Sequence, residues 1–402
     1  MNHEHDVLII GGGLVGASAA IALSDLPLKV ALVEPTPLGQ LPAVFDQRNL
    51  SLAAASVNAL TALGVMQHLQ MAPGLIRHIH ISRAGDFGQI QLRASDYGRQ
   101  AFGQVVVASD FGQALTTRLQ QLPQLQHYRP ARFVRLGQIH ANYREVIIAR
   151  DNKEHGLRTR LLIAADGSHS AVRQALGIDT AEHDYQQSLL VARIRAAQAA
   201  DGRAWERLTD SGPTALLPRG DRHYGVVHGV PRAHADDIMA LSDKEWLARL
   251  QMTLGWRAGR LLDSGPRSVY PLVRIMAQQL VADRAVLLGN AAQSLHPLGA
   301  QGFNLGLRDA LTLVEYITQA PADAGAPELL RAYAQTRQPD RQRTADFSDG
   351  LARLTSNPSP LLRPLRSLGL AALAHIKPLQ AWLVGGAMGF RGHVPQLCRN
   401  ST

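Results

Sequence analysis

Three short stretches of the chain hold residue types at spacings that can bind a nucleotide or place a reactive group. The first, "GGGLVG", puts Gly11, Gly13 and Gly16 at the G-x-G-x-x-G spacing. It follows the apolar run "DVLII" and opens "LVGASAAIALS", and Glu34 closes the next apolar run, "KVALVE", 23 residues after Gly11. Each part has a physical task. Gly11 permits a tight turn, and Gly13 lets backbone approach a pyrophosphate at a helix N-terminus. Gly16 allows close helix–strand packing, and Glu34 accepts hydrogen bonds from a ribose. A glycine-rich turn without a ligand is the plain alternative, but strand, helix and acid all fall in place for a dinucleotide.

The second stretch, "LLIAADGSHSAVR", ends an apolar strand in Asp166-Gly167, with Ser170 and Arg173 at fixed offsets. An Asp-Gly pair is most often a turn; at the carboxyl end of a parallel strand it can also meet a ribose or ribityl chain. Both readings stand. The third, "GNAAQSLHPLGAQGFNLGLRDA", is a glycine-rich turn running from "RAVLLG" into an apolar helical pattern. Such a turn presents unpaired N–H groups and a positive dipole end, suited to a partial negative charge. A reduced flavin, anionic at its N1–C2=O edge, matches. His296 precedes Pro297, so its backbone is expected to be extended, and its ring is a candidate for acid–base chemistry. The plainer reading is a structural histidine. His228, in "HYGVVHGV", is a second aromatic-pocket candidate.

The elements that must position these residues point to an α/β chain. Its first 35 residues read as one βαβ unit with a parallel sheet and a right-handed crossover. Around 186–270 the character changes to antiparallel strands such as "SLLVARI" and "TALLP", with a helix near "DKEWLARLQMTL", which predicts an inserted α+β domain. The expected organisation is a Rossmann-type domain over 1–75, 100–185 and 271–345. An α+β domain takes 76–99 and 186–270, and a helical segment takes 346–402.

A 46% hydrophobic content with 18% charged residues is globular, and 402 residues can bury a large core. One cysteine, Cys398, excludes an intrachain disulfide and fits a reducing compartment. The start lacks the basic and long apolar regions of a signal peptide, so a cytoplasmic location is expected. The net charge is +9, and after Asp349 no acid follows while Arg353, Arg363, Arg366, Lys377, Arg391 and Arg399 do. "LGLAALAHI" and "LQAWLVGGAMGF" fall short of the roughly 20 apolar residues of a membrane span. Basic helices with an apolar face suit an anionic membrane surface; alternatively they pack on the body with the arginines in water.

Together, in this order and spacing, the three stretches resemble the group A flavoprotein monooxygenases, aromatic hydroxylases built like para-hydroxybenzoate hydroxylase. The resemblance covers nearly the whole chain. Asn290 stands at the family's usual Asp and Gln293 at its usual His, a pattern similar to the ubiquinone-biosynthesis hydroxylases. Within these, "AVFDQRNLSLAAASVNALTALGV", "ERLTDSGPTALLP" and "GWRAGRLLDSGPRSVYPL" most resemble the 2-polyprenyl-6-methoxyphenol hydroxylases.

The resemblance implies noncovalent FAD, NADH or NADPH as co-substrate, and O₂. A flavin C4a-hydroperoxide then delivers OH to a polyprenyl phenol, giving 2-polyprenyl-6-methoxy-1,4-benzoquinol. The Rossmann-type domain becomes the FAD-binding domain and the inserted one the substrate-binding domain. Gly11, Gly13 and Gly16 would cradle the ADP pyrophosphate, Glu34 the ribose, and Arg48 would lie along the diphosphate or flavin. Asp166 and Gly167 would serve FAD and the nicotinamide donor. Gly289 and Asn290 would meet pyrophosphate or ribityl, Pro297 the flavin face, and the backbone at Gly302, Phe303 and Asn304 the pyrimidine edge. The family's Arg or Gln after "QVVVAS" falls at Asp110 or Gln113, with Gln113 taken as the contact. No metal is expected, which agrees with the lack of a His/Cys cluster. The implied partners are the substrate, an anionic membrane surface (a peripheral position at the inner membrane) and other ubiquinone-biosynthesis proteins, with no nucleic acid. Two rivals keep the flavin: a prenyl reductase, and a non-catalytic flavoprotein subunit of a biosynthetic complex.

Overall fold

The computed structural model describes residues 4–357, 359 and 363–399. Strand His5–Ile10 lies inside an eight-stranded sheet, parallel to Val30–Val33 on one side and Lys153–Ala164 on the other. Ile10 is level with Val33 and Ala164, so the turns after these strands open on one edge. Aliphatic clusters cover both faces of this sheet, which is why its strands read as unbroken apolar runs and not as alternation. The crossover helix Leu14–Leu23 is nearly all small or aliphatic and packs against the helix Gln301–Gln319.

A nine-stranded, largely antiparallel sheet forms the second unit. It includes His78–Arg83 and Gln89–Arg93, then Thr180–Ala196, Arg203–Thr209, Gly212–Pro218, Tyr224–Pro231 and Ser268–Ala277. Thr180–Ala196 and Ser268–Ala277 run past the expected limits at 186 and 270. The helix Asp243–Leu254 starts with a capping box between Ser242 and Glu245 and buries Trp246, Leu250 and Leu254 against the outer face. The inner face is left to the cleft. Residues Gln293–Ser294 of the third stretch add a short strand beside Ser268–Ala277, joining that stretch to the second sheet.

The helix Pro327–Ser356 crosses the expected boundary at 346 without a break. Beyond it, Arg363–His375 and Lys377–Ala387 fold back over strand Gln89–Arg93, with Val384 and Met388 in one cluster with Ile90 and Leu92. The basic set expected here is only partly free. Arg366 is buried and bonded to Asp86, and Arg353 pairs with Asp349. No described helix is long and apolar enough to cross a membrane.

Candidate active site

Gly11 has φ +105°, and a Cβ there would lie 2.5 Å from the carbonyl oxygen of Ala165. At Gly16 a Cβ would lie 1.9 Å from the oxygen of Gly11, so only hydrogen lets the helix seat on the turn. Gly13 is different. The nearest atom to its missing Cβ is 3.8 Å away, which leaves its backbone open to the cleft. The helix Leu14–Leu23 has no side-chain cap and no acid in its first turn, so its N–H groups stay available to an anion. Glu34, 4% exposed, accepts from Gly12 N–H at 2.7 Å and Thr36 N–H at 2.9 Å. It both fixes the glycine loop and lines the cleft.

Asp166 makes the turn that the Asp-Gly pair predicts. Its carboxylate accepts from the Ser170 hydroxyl and from Val172 N–H, capping the short helix Ala171–Ala175. It also lines the same cavity as Gly167. Buried Arg173 donates to Ser168 O at 2.8 Å and Ala291 O at 2.9 Å, tying the second stretch to the third. In the third stretch, Gly289, Asn290, Pro297, Gly302, Phe303 and Asn304 all face the cavity. Ala300 caps the helix Gln301–Gln319 in the left-handed region, and again no acid lies in the first turn.

Arg48 lines the cavity as well, held by Asp46 at 3.0 Å and by the Val44 carbonyl at 3.0 Å. Its guanidinium lies 4.8 Å over the ring of Tyr270, which comes from the second sheet, and the Tyr270 hydroxyl bonds to Asp46. This cluster joins the two units across the cleft.

Three expected positions fall elsewhere, and Gln293, at the family's usual His, is also outside the cavity lining. Gln113 is exposed on the helix Ala108–Gln120 and outside the cavity; Asp110 instead accepts the backbone N–H groups of Gln70 and Met71. Neither contacts the flavin seat. His296, 2% exposed, turns away from the cavity and stacks edge-on against Tyr185 at 4.8 Å. Burial pushes its pKa down to about 4, although Asp349 pulls it up. His228 points through the other face of its sheet, between Thr214 and Arg249 and against Trp246. Gln293 bridges helices: it donates to Asp309 at 2.7 Å and accepts from Arg341 at 2.9 Å, within a buried set that includes the Asp309–Arg337 pair at 2.6 Å.

Comparison with known proteins agrees with this geometry. The family model described as "FAD binding domain" matches residues 4–348. The chain is 31% identical over 388 residues to the ubiquinone hydroxylase UbiL of Rhodospirillum rubrum, covering 96% of this chain and 89% of that protein. It is a member of the FAD-dependent hydroxylase family that includes the ubiquinone-biosynthesis enzymes. The 3-demethoxyubiquinol 3-hydroxylase of Escherichia coli is 28% identical over 399 residues, covering 96% of this chain and 99% of that one. The p-nitrophenol 4-monooxygenase PnpA of Pseudomonas putida shares the fold, with a TM-score of 0.79 at 15% identity over 98% of this chain and all of that one.

The residues present in this FAD-dependent monooxygenase fit the cofactor: an open Gly13 backbone, two uncapped helix starts and a buried ribose-side acid border one continuous cavity. FAD, when bound, supplies electron transfer from NAD(P)H and the activation of O₂. The hydroxylase's own residues position, enclose and dry that chemistry. Its cavity is about 1250 Å³ and extends past the flavin seat along the inner face of the second sheet. Leu370, Leu373 and Val384 of the last helices form part of its wall. Sequence reasoning missed these, and it missed Glu206. Only the period-2 pattern Ala204, Glu206, Leu208 in "RAWERLT" signals an acid on an inward face.

Proposed function

We propose that this enzyme hydroxylates a polyprenylated phenol in ubiquinone biosynthesis, converting 2-polyprenyl-6-methoxyphenol to 2-polyprenyl-6-methoxy-1,4-benzoquinol at an anionic membrane surface. The observation that carries this reading is the apolar arm of the cavity. Beyond the flavin seat its wall is Ile79, Ile90, Leu92, Leu370, Leu373 and Val384, and the exposed Phe347, Leu354 and Leu365 also line it. A small polar phenol needs no such arm; an isoprenoid chain does, at about 0.8 kcal/mol for each buried CH₂. The names of two relatives, a ubiquinone hydroxylase and a 3-demethoxyubiquinol 3-hydroxylase, support the pathway.

The arm also accounts for the exposed apolar side chains around the last helices. Leu365 is 65% and Trp382 55% exposed, with Leu368 and Ile376 nearby in sequence and Arg363 and Lys377 exposed beside them. An interfacial face of this kind lets a bilayer-resident chain pass into the cavity without crossing water. Deleting the gene in its host and identifying the accumulated prenylphenol by mass spectrometry tests the reading. Accumulation of 2-polyprenyl-6-methoxyphenol supports it, and accumulation of a later, already hydroxylated intermediate moves the enzyme to another step.

A further inference from the structure

Glu206 is out of place on the inner face of the second sheet. It sits on strand Arg203–Thr209, level with Ile81 on one neighbouring strand and Ala215 on the other. The row continues through Ala215 to Val227 and Val191. All of these line the cavity, and Glu206 is the acid among aliphatic side chains. No described residue donates a hydrogen bond to its carboxylate or pairs with it. A carboxylate left in such a place is costly unless a ligand uses it.

The charged groups around it are committed elsewhere. Arg83, two residues beyond Ile81 on the adjacent strand, is bonded to Asp86 and Asp210; Arg366, from the helix Arg363–His375, is bonded to Asp86. Across the cleft Arg48 is bonded to Asp46. From the helix Pro327–Ser356, Asp349 is shared by Tyr185, Arg274 and Arg353. His80 and Arg207 belong to positions of the opposite phase on their strands.

Glu206 is also close to the flavin seat. Leu208, the next residue of the same phase, packs in one cluster with Leu298, which follows Pro297. Two residues of strand span about 6.6 Å. The carboxylate therefore faces the part of the cavity between the flavin-binding turn and the apolar arm.

We propose that Glu206 accepts the phenolic proton of the substrate ring and holds the ring hydroxyl against this face of the sheet. In that step the phenol O–H bond breaks, an O–H bond forms on the carboxylate, and the electron pair stays on the phenol oxygen. Nothing is oxidised or reduced. The resulting phenolate is a better nucleophile toward electrophilic oxygen. Burial pushes the Glu206 carboxyl up to about 7, the range in which a general base works at neutral pH. This assignment rests on the substrate being a phenol, as proposed above.

The test uses the FAD-loaded protein, 2-geranylphenol, and the Glu206→Gln and Glu206→Asp variants. Wild-type kcat/KM for hydroxylation is expected to rise with pH through about 7. Glu206→Gln is expected to lose that limb together with about 100-fold in kcat/KM, while Glu206→Asp restores the limb. A Glu206→Gln protein with unchanged rate and pH profile overturns the assignment. If wild-type protein hydroxylates no phenol, the substrate reading fails separately. Binding of 2-geranylphenol, read from the flavin difference spectrum, then decides: affinity that tightens as pH rises through about 7 in wild type and is flat in Glu206→Gln supports the role, and the same pH dependence in both, or no binding, overturns it.

Discussion

The side-chain oxygen of Asn304 accepts the backbone N–H of Ala53 at 2.9 Å, although 251 residues separate them. Its amide nitrogen donates to Ser51 O at 3.0 Å and to Ala300 O at 2.6 Å. One amide thus fixes the left-handed Ala300, the first turn of the flavin-facing helix and the end of strand Asn49–Ala53. Asn304→Ala leaves the Ala53 N–H buried without a partner, a loss of about 1–3 kcal/mol. Urea unfolding should show that loss in the FAD-free protein. Fluorescence titration should show an additional weakening of FAD binding, because the turn is no longer held.

Two glycines separate folding from cofactor binding. Gly16→Ala drives a methyl group to 1.9 Å from the oxygen of Gly11, against backbone that cannot yield. The expected product is a destabilised, colourless protein. Gly302 lines the cavity with nothing within 4 Å of its missing Cβ. Gly302→Ala should therefore keep or slightly raise thermal stability, since alanine favours a helix by up to about 1 kcal/mol, while its methyl group reduces FAD uptake. Equal melting losses in the two variants would contradict this.

His228 is expected to make the fold acid-sensitive. Its Nε2 accepts from Arg249 at 3.1 Å, so the neutral ring carries its proton on Nδ1 and donates to Thr214 at 2.8 Å. Burial first, and then the Arg249 charge, lower its pKa from 6.5 to about 3. The unfolded chain takes up the proton first, so the stabilisation is full above 6.5 and is lost as pH falls from there toward about 3. Melting temperatures from pH 7.5 to 5 should fall in the wild type, and His228→Asn should flatten the slope.

His296→Ala is expected to leave the rate and pH profile of hydroxylation unchanged. The ring does not line the cavity, its Nδ1 accepts Leu298 N–H at 3.3 Å, and its backbone oxygen takes the Ser348 hydroxyl at 2.8 Å. Stopped-flow product analysis across the pH range checks this, and an altered profile would return the histidine to the chemistry.

Replacing Leu365, Leu368 and Trp382 together with serine should weaken flotation with anionic vesicles. FAD content should be unchanged, because none of the three lies in the flavin seat. Trp382 carries the Arg391 guanidinium 3.4 Å over its ring, so a single Arg391→Ala change should produce a smaller loss. Retained flotation in the triple variant would remove this face as the docking surface.

The nucleotide end was legible because local chemistry dictates it. Gly16 meets Gly11, and Glu34 meets Gly12 and Thr36, within one βαβ unit, where spacing along the chain translates directly into spacing in three dimensions; the close approach of Ala165 to Gly11 is the distant exception. The helix Asp243–Leu254 was legible for the same reason, its capping box lying three residues apart. What escaped depends on distant partners. Histidine before proline says nothing of which way a ring will turn, and the His296 ring is directed by Tyr185 and by the Leu298 N–H. Gln293 stands at the family's usual His, and nothing local in sequence shows that Asp309 and Arg341 use both ends of its amide. Arg366 counts as surface charge until Asp86 is found beside it.

The wall supplied by Leu370, Leu373 and Val384 lies C-terminal to every residue of the flavin seat, from Gly11 to Asn304. Translation is vectorial, so the growing chain completes its nucleotide cradle while one flank of the cavity is still missing. The helices Arg363–His375 and Lys377–Ala387 are therefore the last-made part of the cavity wall.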